Sequence, residues 1–215
     1  MPLRRVAKRR YRPQQGSSLL EFLLVSILLI FPLLFGTFIF GMRFVRANQV
    51  AELCRDAGHM YAYRIDFSQA GSQQVLAQWG QCLKMTATGG NGVIILSTIT
   101  FVASTDCVAG GYPAGDCSNV NQTVFTNRIV VGNPSLMINS QLQTSAFGTP
   151  DSAIVDSSGN IKPTYYLANA SAVASNFSTI IPLNSGQVAY VAEAFFQAPD
   201  FNLLNPGGIT ARSIF

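Results

Sequence analysis

The sequence predicts an α+β fold, in which a long N-terminal transmembrane and stalk helix packs against a small antiparallel β-sheet domain. Three observations predict it: an almost continuous apolar run at residues 19–40, a helical pattern of apolar side chains beyond this run, and β-branched segments farther on. Strands that follow a helical start are typical of α+β folds. We expect a basic leader peptide at residues 1–16, the transmembrane and stalk helix at 17–64, and an extracytoplasmic head domain at 65–215.

The positive charge is concentrated in the leader. Six basic residues precede Gly16, with no acidic residue among them: Arg4, Arg5, Lys8, Arg9, Arg10 and Arg12. Without these six, the 14 basic residues fall to 8 against 10 acidic ones, so the remainder carries a net charge of −2. No basic stripe with interleaved aromatic residues remains to hold a phosphate backbone, and we expect no nucleic-acid partner.

The apolar run at residues 19–40 reads LLEFLLVSILLIFPLLFGTFIF. It has the length of about 20 residues that a helix needs to cross a bilayer. It is longer than the core of an ordinary signal peptide, and no small-x-small cleavage site closes it. The six basic residues before the run outnumber Arg43 and Arg46 after it, which favours a cytoplasmic N-terminus and an outward-facing domain after the span.

Glu21 lies inside the apolar run, where a carboxylate costs several kcal/mol unless it has a partner. Cleavage between Gly16 and Ser17 would make Ser17 the new N-terminal amine, four residues before Glu21. Opposite charges at that spacing, within one chain or between neighbours, would offset the cost. The alternative is that Glu21 reaches the nearby membrane surface and is solvated there.

The stretch QGSSLLEFLLVSILLIFPLLFG, followed by Arg43 and Ala47, resembles the N-terminal motif of TadE-like pseudopilins, which belong to the tight-adherence branch of type IV pilus systems. The resemblance implies that a prepilin peptidase cuts after Gly16. It also implies that Glu21, as the fifth residue of the mature chain, helps to recruit or register the subunit during assembly. Pro32 departs from the family pattern, in which the proline lies closer to the glutamate. The segment GQVAYVAEAFFQAP near the C-terminus is also similar to a late strand of such proteins.

The implied function is that of a minor pilin or pseudopilin in the assembly of an adhesive (Flp/Tad-type) pilus or a related secretion apparatus. The implied partners are a prepilin peptidase, other pilin or pseudopilin subunits, the pilus assembly platform and the lipid bilayer. The implied location is the bacterial inner (cytoplasmic) membrane, crossed once with the C-terminal domain outside, or the pilus itself. The alternative is a membrane-anchored binding or sensor module that keeps its leader and never polymerises.

Helices and strands are predicted from the spacing of apolar residues. Apolar side chains recur every three or four residues to residue 65, so one helix is expected over residues 17–63, and a second over residues 68–85. Runs rich in β-branched residues predict three strands, and a shorter fourth candidate lies between them. These segments are residues 93–103, 123–131 and 187–197, with the shorter candidate at 136–142. Residues 144–186 are expected to form loop with one short helix near residues 165–174.

All four cysteines follow the apolar run, and an oxidising compartment would favour disulfides among them. Cys107 and Cys117 bracket a Gly- and Pro-rich loop, so we expect a bridge between them. Cys54 and Cys82 lie on the apolar faces of consecutive predicted helices, and a second bridge there would link stalk and head. Buried free thiols are the alternative. No C-x-x-C spacing occurs and His59 is the only histidine, so we expect no metal site and no cofactor.

No enzymatic activity is expected. His59 lies on the stalk helix, where nothing indicates the cleft that a catalytic base requires, so it is predicted to be a surface or packing residue. Glu193 lies in a predicted strand without a second close carboxylate, and it could pair with Arg128 on a neighbouring strand. The segment AIVDSSGN at residues 153–160 is expected to form a plain turn.

Overall fold

Residues 17–113, 115–137, 145–197 and 208–215 are described by the computed structural model of the chain. The helices are α1 (Ser17–Val25), α2 (Phe31–Ala62), α3 (Ala70–Trp79), α4 (Ser104–Ala109), α5 (Pro163–Tyr166) and α6 (Phe177–Ile180). The strands are β1 (Met85–Thr86), β2 (Gly89–Gly90), β3 (Gly92–Phe101), β4 (Thr123–Gly132), β5 (Val188–Phe196) and β6 (Ile209–Ile214). The predicted leader, with Gly16 and the six basic residues, lies outside the described residues.

A π-helical turn, Ser26–Ile30, joins α1 to α2. Phe31 donates its N–H to the carbonyl of Ser26, five residues back. The next residue, Pro32, has no N–H, and its ring would clash with the carbonyl four residues earlier in a regular α-helix. A π-turn lets the helix continue past a position that cannot make the regular bond.

The chain divides into two compact units, with the boundary between Phe44 and Val45 inside α2. Among the described residues of the first unit, no side chain is buried within the chain. The second unit contains the sheets and the hydrophobic cores. The apolar side chains of the first unit are thus exposed within the described residues.

The main sheet has four strands in the order β4-β3-β5-β6, and all its pairs are antiparallel. Together with the long N-terminal helix, it confirms the predicted α+β class. Three of its strands match the predicted segments to within two residues at each end. The edge strand β6 was not predicted. β1 and β2 form a separate two-stranded ribbon directly before β3.

One face of the sheet packs against the C-terminal half of α2. The helix contributes Val50, Leu53, Cys54, Ala57 and Tyr61, all at most 7% exposed. Alternate residues of three strands meet them, since side chains in a strand point alternately to the two faces. These are Ile94 and Leu96 of β3, Ile129 and Val131 of β4, and Ala192, Ala194 and Phe196 of β5. Full burial of a Leu, Ile or Phe contributes about 1.5–3 kcal/mol, so this layer holds the helix on the sheet.

The opposite face of the sheet is covered by the long segment between β4 and β5. Its aromatic anchors are Phe147 and Phe177, both fully buried, with ring centroids 5.0 Å apart at an interplanar angle of 69°. They pack with Ile99, Phe125 and Val191 of the sheet. In place of the single helix predicted near residues 165–174, this segment forms α5 and a 3₁₀ turn, Ala170–Ala172.

The disulfide prediction is right for one pair and wrong for the other. Cys107 and Cys117 are bonded, with their Cα atoms 5.9 Å apart. Cys54 and Cys82 are free thiols. Cys54 is buried under the sheet, where its Sγ donates to the carbonyl of Ala192 at 3.3 Å. Because α3 ends at Trp79 instead of continuing to residue 85, Cys82 lies in a 3₁₀ turn and is exposed.

The shorter strand candidate at residues 136–142 is also wrong over its described part. Residues Pro134–Met137 form a 3₁₀ turn, and residues 138–144 lie outside the described residues. The side chain of Asn133 accepts a hydrogen bond from the N–H of Ser135 at 3.1 Å. Such a local bond favours a turn over an extended strand, and Pro134 cannot donate to a neighbouring strand.

Candidate functional site

Glu21 lies in α1, together with Ser17, the residue that would follow the predicted cleavage. One helix of the described chain, over Ser18–Ala62, is long and apolar enough to cross a membrane. Glu21 is the only charged residue between Ser17 and Arg43. Gly16 and the six basic residues lie outside the described residues, so their geometry is not part of this site.

The surroundings of Glu21 are apolar and open. Leu20 is 63% exposed, Phe22 is 70% exposed and Leu24 is 56% exposed. Glu21 itself is exposed, and no hydrogen bond to its carboxylate occurs within the described part of the chain. In contact with lipid or with other apolar helices, this carboxylate would need a counter-charge or hydrogen-bond donors.

The nearest basic residue that follows Glu21 along the helix is too far away to supply that counter-charge. Arg43 comes 22 residues later, which at 1.5 Å per residue corresponds to about 33 Å along the axis. Ser17 lies one helical turn before Glu21, at the spacing at which side chains of a helix meet. The described residues of the first unit therefore hold no positive charge within reach of Glu21.

A second charged group, Glu193 on β5, lies in the interior of the second unit and is 8% exposed. Its Oε1 accepts from Arg212 Nε at 3.1 Å and from the backbone N–H of Ala146 at 3.0 Å. Its Oε2 accepts from the hydroxyl of Ser145. The direct ion pair is thus with Arg212 of β6, and not with Arg128 as the sequence suggests. The sequence does not indicate this ion pair, because Arg212 lies in β6, which the spacing of apolar residues does not predict as a strand.

Arg128 of β4 makes other contacts in the same region. Its guanidinium donates to the carbonyl of Gly148 at 3.2 Å and to Thr149 Oγ1 at 3.3 Å, and it lies 5.6 Å from the ring centroid of Phe125. Burial lowers the pKa of Arg128 to about 10, although the charge of Glu193 acts in the opposite direction. Arg128 therefore remains a cation at neutral pH. Together, the two groups tie the loop at residues 145–149 to the sheet.

The remaining candidates from the sequence have structural roles. His59 is exposed, with its ring centroid 4.3 Å from that of Phe215, which agrees with a surface or packing role. Asp156 Oδ1 accepts from the backbone N–H groups of Ser158 at 2.9 Å and Asn160 at 2.8 Å, so this segment forms the predicted turn. Within the described ranges, no group of three or more His, Cys, Asp or Glu residues could hold a metal ion.

Comparisons of this chain with models of known protein families, with curated proteins and with solved structures give no match in any of the three.

Proposed function

We propose that this chain is a TadE-like minor pilin or pseudopilin that takes part in the assembly of an adhesive (Flp/Tad-type) pilus or a related secretion apparatus. A prepilin peptidase removes the leader after Gly16, and the C-terminal domain lies outside the inner membrane. The observation that carries this proposal is Glu21, the only charge between Ser17 and Arg43 in an exposed apolar helix.

In this function, Glu21 gains a positively charged partner. Cleavage after Gly16 generates a positive amine on Ser17, one helical turn from the carboxylate, and the same amine on a neighbouring subunit is a second candidate partner. The apolar side chains around Glu21 then pack against lipid before assembly and against other pilin helices after it. The proposal assigns no chemical reaction to this chain.

The first experiment determines the N-terminus of the protein extracted from membranes, by intact mass and N-terminal sequencing. We expect the mature chain to begin at Ser17 and a Gly16→Leu variant to keep its leader. A wild-type chain that begins at Met1 or Pro2 would contradict the proposal and would support the unprocessed, membrane-anchored binding or sensor module.

The second experiment compares Glu21→Gln with Glu52→Gln, which removes a carboxylate from an exposed site on the second-unit part of α2. We expect E21Q to be processed normally but to be lost from the pilus fraction and from complexes with other pilin subunits. E52Q is the matched control and should behave as the wild type. Assembly of E21Q at the wild-type level would refute the role of the carboxylate.

A further inference from the structure

The helix-facing side of the main sheet changes from apolar to polar where α2 ends. The residues under the helix are apolar: Ile94, Leu96, Ile129, Val131, Ala192 and Ala194. The next row on the same face consists of Thr98, Asn127 and Tyr190, which the strand pairing places side by side. A row that only extended the core would be apolar. A hydroxyl, an amide and a phenol in one row indicate a surface that contacts something polar.

This row is the floor of a cavity of about 510 Å³ in the second unit. The segment after α2, which includes Arg64 and Asp66, forms one side, and the turn with Ser158 and Asn160 forms another. We call this cavity the polar cleft. Its volume falls within the range of about 300–1,000 Å³ that is typical of small-molecule sites.

The hydrogen bonds inside the polar cleft have a defined direction. The Tyr61 hydroxyl lies 2.6 Å from Asn127 Oδ1, which can only accept, so Tyr61 donates to it. The same hydroxyl lies 2.7 Å from Thr98 Oγ1 and therefore accepts from Thr98. Asn127 Nδ2 in turn donates to Asn160 Oδ1 at 2.8 Å. Each bond of such a chain polarises the next, which strengthens the donor at its end.

That terminal donor is the amide Nδ2 of Asn160. It bonds to no group within the residues that the structure describes, and the same holds for the hydroxyl of Tyr190. Both belong to the lining of the polar cleft. A ligand that leaves these donors without acceptors would lose the free energy of their bonds to water. The polar cleft therefore favours a ligand with several oxygen acceptors.

Asp66 supplies an acceptor on the other side of the polar cleft. Its carboxylate accepts from the N–H of Ser68 at 2.8 Å and from Gln69 Nε2 at 3.3 Å. The hydrogen bonds from Ser68 hold the pKa of Asp66 below its usual range, so the group is ionised at neutral pH. Arg64 carries the opposite charge, and the two cancel formally. The lining therefore combines donors, acceptors and a Tyr190 ring without a net charge.

We propose that the polar cleft binds a neutral saccharide through one of its pyranose rings. Adjacent sugar hydroxyls can donate to Asp66 and accept from Asn160, and the C–H face of the ring can pack on Tyr190. A charged ligand of either sign would meet a like charge in the lining, from Asp66 or from Arg64, whereas an apolar ligand would leave the two donors unpaired. This proposal is independent of the pilus assignment, since saccharide binding requires neither leader cleavage nor assembly.

Saturation-transfer NMR on the full chain tests the proposal, with the methyl glycosides of glucose, galactose, mannose and N-acetylglucosamine as probes. The micelles must consist of a detergent without a sugar headgroup, because maltoside or glucoside headgroups would compete for the polar cleft. We expect saturation transfer to at least one of the four probes. No transfer to any of them would overturn the proposal.

Asn160→Asp is the decisive variant. It keeps the Oδ1 that accepts from Asn127 and replaces only the outward amide donor. Asn184→Asp is the matched control, since it makes the same change of charge at an exposed position outside the polar cleft. We expect N160D to raise the Kd of the bound glycoside at least about tenfold, as the loss of one directed hydrogen bond implies. Equal Kd values for N160D and N184D would overturn the proposal.

Tyr190→Phe gives a second readout that does not depend on Asn160. The variant keeps the ring that packs edge-on against Tyr61 at 5.7 Å, so the fold should be retained, while the unpaired hydroxyl is removed. We expect a Kd several-fold above the wild-type value, with saturation transfer still strongest at the C–H protons that face the ring. A Y190F variant that binds the glycosides as tightly as the wild type would contradict the assigned binding mode.

Discussion

The carboxylate of Glu193 accepts three hydrogen bonds, one of them from Arg212. Its negative charge also stabilises the charged form of the buried Arg128. Removal of one charge from a buried, hydrogen-bonded group leaves its partners without compensation, which typically costs more than the pair itself contributes. The side chain of Arg212 is 38% exposed, so part of its loss is recovered by water, whereas Arg128 is only 6% exposed. Loss of the Glu193 charge is therefore expected to destabilise the fold mainly because Arg128 would remain as a buried cation without this nearby anion.

We expect Glu193→Gln to lower the free energy of unfolding of the head by about 2–4 kcal/mol. Urea unfolding of the full chain measures this, followed through the fluorescence of Trp79, the only tryptophan. Glu52→Gln is the control, because the loss of an exposed carboxylate should change stability by less than about 0.5 kcal/mol. An E193Q variant as stable as E52Q would show that the ion pair does not stabilise the fold.

The two free thiols differ in accessibility. Cys54 is 0% exposed under the sheet, whereas Cys82 is exposed. Because alkylation requires access to the thiolate, we expect a maleimide to add once per native chain, at Cys82, and twice after unfolding without reductant. Mass spectrometry counts the adducts, and Cys82→Ser should abolish the native adduct. If neither the native chain nor the unfolded chain formed an adduct, this result would instead support a bridge between Cys54 and Cys82.

Among the contacts between single elements, α2 lies close to β5 and to Phe215 at Gly58. A Cβ atom at this position would lie 3.0 Å from the Cβ of Ala192 and would overlap the ring of Phe215. Phe215 follows β6 and exchanges backbone hydrogen bonds of 2.9 Å with Tyr190, so its backbone cannot withdraw without disturbing the sheet edge. The absence of a side chain at Gly58 thus sets the distance between helix and sheet.

We expect Gly58→Val to destabilise the head by about 1–3 kcal/mol, because added volume in a packed layer forces side chains and backbone to shift. Gly71→Ala is the matched control, since nothing lies within 4 Å of a Cβ built at this position of α3. It should stabilise by up to about 1 kcal/mol, because alanine is the better helix former. Urea unfolding measures both, and a G58V variant that is stabilised like G71A would contradict the close packing.

Much of the fold could be predicted from local patterns, and the failures have identifiable causes. The strands β3, β4 and β5 are long and rich in β-branched residues, so their periodicity is clear. The edge strand β6 has the sequence ITARSI, in which the polar residues Thr210, Arg212 and Ser213 interrupt the apolar pattern and give a weak signal. Its role depends on the backbone of β5 and on Glu193, 19 residues before Arg212, and a local pattern does not reveal this pairing.

The candidate sites also differ in how far the sequence predicts them. Glu21 stands out in the sequence because a single charge interrupts an apolar run. The polar cleft could not be predicted, since it depends on where α2 ends relative to the sheet and on the strand register that aligns Thr98, Asn127 and Tyr190. The pairing of Cys54 with Cys82 failed for a related reason, because it requires the end of α3 to be known within one turn.

For the molecule as a whole, the position of the basic residues and the position of the disulfide agree with the same proposed orientation in the membrane. The six basic residues of the predicted leader favour the cytoplasmic side for the N-terminus. The disulfide between Cys107 and Cys117, in the second unit, is the kind of bond that persists in an oxidising compartment. The proposed outward-facing C-terminal domain agrees with both, and the exposed thiol of Cys82 allows the orientation to be measured.

We expect a membrane-impermeant maleimide to label Cys82 in intact spheroplasts to the same extent as in lysed membranes, because the proposed orientation places the head outside. Cys82→Ser removes the labelling and serves as the control for reaction at other sites.

Replacement of the six leader residues Arg4, Arg5, Lys8, Arg9, Arg10 and Arg12 by glutamine removes the charge bias, so that only Arg43 and Arg46 remain beside the span. A fraction of these chains should then insert in the opposite direction and react only after lysis. If wild-type Cys82 reacts only after lysis, the head lies in the cytoplasm, and the proposed route of the protein into a pilus is wrong.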